Sequence, residues 1–115
     1  MNDRLGDKVR LQHIYEAITE IETSIETKNF IDFDTHSMLR SACIRQLEIV
    51  GEAVSRLSDD LIQNAPQIEW QKIKALRNLL IHEYFGVSNQ IIWNVIQHNI
   101  PTFKNQITAI LQNFE

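Results

Sequence analysis

The sequence predicts an all-α protein, an antiparallel bundle of four main helices with a short additional helix. Two observations carry that expectation. Only three glycines and two prolines punctuate 115 residues dominated by helix formers, so connections should be short. Isoleucine, leucine and valine then recur at steps of three and four residues, the period of a helix with one buried face.

The first helix is expected from about Asp3 to Thr27, with Leu11, Ile14, Ile18, Ile21 and Ile25 on its buried stripe. Asp7, Arg10, Glu16, Glu20 and Glu26 read as its solvated face. The run from Asn29 to Asp34 breaks the period; Phe30 and Phe33 should plug the bundle end, and Asp34 is the expected N-cap of a second helix reaching about Leu57. Leu39, Ala42, Cys43, Leu47, Val50, Val54 and Leu57 mark the buried side of that helix. Gly51, lacking a side chain there, should allow close packing, either within the chain or across a dimer seam.

Ser58, Asp59 and Asp60 can cap a short helical turn that ends before Pro66. A further helix is expected from Trp70 to about Glu83, carrying Ile73, Leu76 and Leu80, with Gly86 offering a left-handed stop. Ser88 should cap a fifth helix bearing Ile91, Ile92, Val95 and Ile96, with Trp93 on its flank. Pro101 should start or kink the last run, which closes the core with Phe103, Ile107, Ile110, Leu111 and Phe114.

At this length the chain is expected to be one domain over residues 1–115, able to bury roughly two thirds of its unfolded surface without disulfide or metal. Fifteen acidic against eleven basic side chains give a net charge of −4, which argues against a broad, sequence-blind nucleic-acid surface; any RNA contact should be local. Cys43 is alone and set among apolar neighbours, so it reads as a packing residue. The polar opening residues do not look like a signal peptide and no window approaches a membrane span, so a soluble, cytoplasmic protein is expected. No Glu-x-x-His pair, zinc-ligand spacing or glycine-rich phosphate loop occurs, so neither metal nor cofactor is expected.

Chemistry concentrates in Arg77-Asn78-Leu79-Leu80-Ile81-His82-Glu83-Tyr84. Arg77 supplies a planar, permanently ionised fork suited to phosphoryl charge, and His82 can exchange protons near neutral pH. On an ideal helix Asn78 and His82 share one face and Arg77 and Tyr84 another. Arg77 and His82 stand about 140° apart, and converge only if the arginine curls, the last turn loosens, or a second chain supplies the partner. The structural alternative is simpler: a histidine favoured by the helix dipole, a solvated arginine, and a core tyrosine with a wet hydroxyl.

The spacing of Arg77, His82 and Tyr84 resembles the Arg-x4-His-x-Tyr motif of the HepT-like toxins of the HEPN superfamily. The flanks resemble the family too: Leu47-Glu48-Ile49-Val50-Gly51-Glu52-Ala53, Pro66-Gln67-Ile68-Glu69-Trp70, Phe85-Gly86-Val87, Ile92-Trp93 and Pro101 keep its order. Glu83 departs from it by placing a negative charge where a small or variable residue is common. The resemblance implies a helical bundle that forms a two-fold homodimer, with both motifs lining one cleft. It also implies the toxin of a toxin–antitoxin module: a metal-independent endoribonuclease with Arg77 and His82 catalytic and Asn78 supporting. Its partner would be an MntA-like nucleotidyltransferase antitoxin that adenylylates Tyr84. The competing expectation is a non-catalytic module that binds nucleotide or recruits the nucleotidyltransferase.

Overall fold

The computed structural model describes residues 3–82 and 86–114. Helix α1 spans Asp3–Ile25, and Leu11, Ile14, Ala17, Ile18 and Ile21 are buried along it. Asp7 is buried as well, which corrects its assignment to the solvated face. Four residues before Leu11, it continues the same stripe towards the helix start. Its burial is tolerated because Ser58 donates to it twice, from N to Oδ1 at 2.9 Å and from Oγ to Oδ2 at 2.6 Å.

A short helix α2, Phe30–Thr35, follows, closed by a capping box between Asn29 and Asp32. Phe33 is fully buried, its ring centroid 5.2 Å from that of Trp93, and Phe30 lies 6.5 Å from the same indole. The two phenylalanines therefore plug the bundle end as expected. Asp34, however, is inside α2 and caps nothing; it instead accepts a hydrogen bond from Asn89 at 2.9 Å. The N-cap of α3, Ser37–Ser55, is His36, whose Nδ1 accepts from the Leu39 N–H at 3.0 Å.

Helix α3 packs against α1 on one side and α5 on the other, so its apolar arc is wide: Cys43, Ile44, Leu47, Val50, Ala53 and Val54 are all buried. Ala42 falls outside that arc and is exposed. After α3 comes α4, Asp59–Gln63, capped by Ser58 as the sequence predicts. Helix α5 runs Trp70–His82; Trp70 is buried, donates from Nε1 to the Ala65 carbonyl at 3.0 Å, and meets Phe103 edge-on at 5.9 Å.

Ser88 caps α6, Asn89–Asn94, through the N–H groups of Gln90 and Ile91. Here Trp93 is buried and Ile91 exposed, the reverse of the expected placement. A five-residue π-helical segment, Val95–Asn99, then leads into α7, Ile100–Gln112, with Pro101 in its first turn. A proline ring crowds the carbonyl four residues earlier and offers no N–H. The wider π register just before it loosens that turn, so the path stays helical through Pro101. Among the described residues no glycine has a positive φ, so the left-handed stop expected at Gly86 is not seen.

Ion pairs and caps fix the antiparallel order. Arg4 at the start of α1 donates to the Asn113 carbonyl at 3.2 Å and stacks 4.3 Å from the Phe114 ring, past the end of α7. Near the other end of α1, Glu22 accepts from Lys104 at 2.7 Å. The Asp7–Ser58 bonds likewise join the start of α1 to the end of α3. Among the described residues no helix is long and apolar enough to cross a membrane.

Candidate active site

Arg77 lies on the third turn of α5, opposite Gly51 of α3. A Cβ on Gly51 would overlap Arg77 Cβ and stand 2.7 Å from its Cγ. The glycine therefore makes the seat in which the arginine stem lies, and the close helix packing expected at Gly51 is found between α3 and α5 of one chain. Next to it, Glu52 Oε1 accepts from Arg77 Nη2 at 2.5 Å, while Glu52 Oε2 accepts from Arg56 Nε at 2.9 Å. Arg77 Nη1 donates to Asn78 Oδ1 at 3.0 Å. Its Nε is buried and has no hydrogen-bond partner among the described residues. With a side chain only 30% exposed and tethered at two nitrogens, Arg77 is not a freely solvated charge.

The arginine lines a cleft of about 750 Å³ between α1, α3 and α5. Arg10, His13, Arg45 and Arg56 also line it, against two carboxylates, Glu48 and Glu52. Four guanidinium groups against two carboxylates leave a local positive excess on an acidic chain, as a local phosphate contact requires. Apolar side chains share this face: Val9 is 41% and Ile81 45% exposed.

The sequence-predicted set is only partly assembled. Arg77 and Asn78 are joined by a hydrogen bond. His82, the last residue of α5, is exposed and does not line the cleft. Its side chain makes no hydrogen bond or ion pair among the described residues, and within one chain Arg77 lines the cleft and His82 does not. Tyr84 lies outside the described residues. Glu52 is the site residue that sequence reasoning missed; its signal was the neighbouring Gly51, since a residue that marks close helix approach also marks what is brought close. Among the described residues, no three His, Cys, Asp or Glu side chains gather closely enough to hold a metal ion.

Comparison with known proteins identifies the family. "Putative RNase TTE0752" of Caldanaerobacter subterraneus subsp. tengcongensis is 37% identical over 102 residues, covering 89% of this chain and 91% of the relative. "Probable ribonuclease HepT" of Thermococcus cleftensis is 36% identical over 100 residues, covering 87% and 91%. The chain spans about half of a Methanocaldococcus jannaschii relative named "Gamma-glutamylcyclotransferase and putative RNase MJ0434", being 35% identical over 108 residues that make up 94% of this chain and 49% of that protein. No solved structure matches the chain. The Ribonuclease HepT-like family matches residues 14–110, a span that takes in α3 with Gly51 and Glu52 and α5 with Arg77, Asn78 and His82, and the chain belongs to that family.

Proposed function

We propose that the protein is an endoribonuclease toxin that cleaves RNA without a metal, in a cleft completed by a second copy of the chain. The observation that carries this reading is Arg77, held by Glu52 and Asn78 at the wall of a cationic cleft. In the reaction a ribose 2′-hydroxyl attacks the adjacent phosphate, the bond from phosphorus to the 5′-oxygen breaks, and a 2′,3′-cyclic phosphate and a 5′-hydroxyl result. Arg77 stabilises the charge that develops on the phosphorane oxygens. His82 takes the hydroxyl proton or delivers one to the leaving oxygen. Asn78 supports the guanidinium and does no chemistry.

The second copy answers a geometric need, because His82 lies at the helix end and outside the cleft that Arg77 lines. In the proposed two-fold interface, one chain's helix end would meet the other's cleft wall. The exposed apolar side chains Val9 and Ile81 flank that wall and would be covered. Neutralisation falls to a nucleotidyltransferase antitoxin of the MntA type, which transfers adenylyl groups to Tyr84. Each group adds about one negative charge and considerable bulk near the motif, competing with RNA phosphate.

Purified protein incubated with defined RNAs should yield fragments ending in cyclic phosphate, and His82→Ala and Arg77→Ala should each abolish cleavage while keeping wild-type helicity. Unchanged cleavage by His82→Ala would remove His82 from the reaction, and no cleavage by the wild type would favour a nucleotide-binding or partner-recruiting module. Co-expression with the cognate nucleotidyltransferase should add adenylyl mass at Tyr84, absent from Tyr84→Phe. Neutralisation of Tyr84→Phe as readily as wild type would place inhibition in complex formation instead.

A further inference from the structure

We infer that Glu52 is a positioning residue for the reaction, acting through Arg77; the inference rests on the reading of Arg77 given above. A guanidinium has five N–H donors. Glu52 Oε1 takes one from Nη2, Asn78 Oδ1 takes one from Nη1, and the Nε donor is buried. One proton on each terminal nitrogen is left without a partner here and can be offered to phosphate oxygens. Removing Glu52 would free Nη2 and let the long side chain rotate, so the fork would no longer be set before the substrate arrives.

The carboxylate is itself oriented. Its second oxygen accepts from Arg56 Nε at 2.9 Å, and the backbone at Gly51 brings α5 close enough for the pairing. Arg56 is 63% exposed and Glu52 39%, so the outer bond is the weaker support and the inner one, to the 30% exposed Arg77, is the one that matters. A carboxylate beside a phosphate-binding arginine also competes with phosphate for charge. The division of donors limits that competition, since Glu52 takes only one N–H and each terminal nitrogen keeps another.

The test compares Glu52→Ala, Glu52→Gln, Arg77→Ala and the double variant in cleavage of a defined RNA, with circular dichroism to check the fold. Glu52→Ala should lower kcat by about tenfold or more and change KM by less than about threefold, because the lost interaction orients a group acting on the transition state. Glu52→Gln keeps a carbonyl acceptor for Nη2 and should stay within about threefold of wild type. In nitrogen-detected spectra, the Arg77 guanidinium, assigned by its loss in Arg77→Lys, should show slowed rotation in wild type and Glu52→Gln and averaged signals in Glu52→Ala. Wild-type or raised kcat in Glu52→Ala, or an unaltered guanidinium signal, would overturn the inference. So would a loss in Glu52→Gln as deep as in Glu52→Ala. If Arg77→Ala cleaves normally, the role given to Arg77 fails and the inference with it; if Arg77→Ala is inactive and Glu52→Ala is not, only the positioning role fails. The double variant should be no worse than Arg77→Ala alone.

Discussion

Cys43 is 1% exposed, and burial pushes its thiol up from the ordinary 9.0 to about 11. Because the folded protein holds this proton more tightly than the unfolded chain, the contribution to stability is full below pH 9. It is lost as pH rises through the folded value near 11. Thermal unfolding between pH 8 and 11 should therefore show a steeper fall of Tm for wild type than for Cys43→Ala, and iodoacetamide at pH 8 should label Cys43 only after denaturation. Gly51 has the opposite constraint, of space. Gly51→Ala would press against Arg77 Cβ and Cγ, and should cost about 1–3 kcal/mol in urea unfolding while also lowering RNA cleavage. At this scale the sequence showed the motif but not its setting. Arg77 and Asn78 were legible because their types and adjacency carry chemistry, whereas Glu52 lies twenty-five positions away and only the fold brings it to the guanidinium.

Among the elements, α3 organises the rest: α1 and α5 both pack on it, and the turn after it receives the Asp7 carboxylate. Asp7→Ala would strand the Ser58 N–H in a part-buried site, and should destabilise the protein by about 1–3 kcal/mol. Asp7→Asn, which keeps one acceptor, should cost less, and equilibrium urea denaturation would rank the two. Hydrophobic period was enough to place α1, α3, α5 and α7 because each buries one continuous stripe. It failed at the ends, where single hydrogen bonds decide. His36 caps α3 through a ring nitrogen, a role that a neighbouring aspartate seemed better suited to fill. The π segment before Pro101 was also illegible, since its wider register leaves the apolar spacing almost unchanged and only the proline hints at it.

For the whole molecule, the decisive quantity is the distance between one chain's arginine and a histidine that its own helix turns away. The face bearing Arg77 combines exposed Val9 and Ile81 with the guanidinium groups of Arg10, Arg45 and Arg56. Apolar side chains favour a partner surface, but four clustered cations would repel their own copies unless phosphate or Glu48 and Glu52 neutralised part of the charge. Assembly should consequently respond to ions as well as to burial. Light scattering after size exclusion should give twice 13.4 kDa at micromolar concentration, with dimerisation strengthened by phosphate or moderate salt. If the proposed dimer covers this face, Ile81→Asp would bury a carboxylate there and should yield a monomer of unchanged helicity. That monomer should be inactive on RNA although it retains Arg77, Asn78 and His82. Mixing Arg77→Ala with His82→Ala chains supplies the sharper check: heterodimers carry one cleft with both groups intact, and should recover part of the activity that each variant lacks alone. A wild-type monomer that cleaves RNA at full rate would return the two groups to a single chain, and would require the last turn of α5 to rearrange around the substrate.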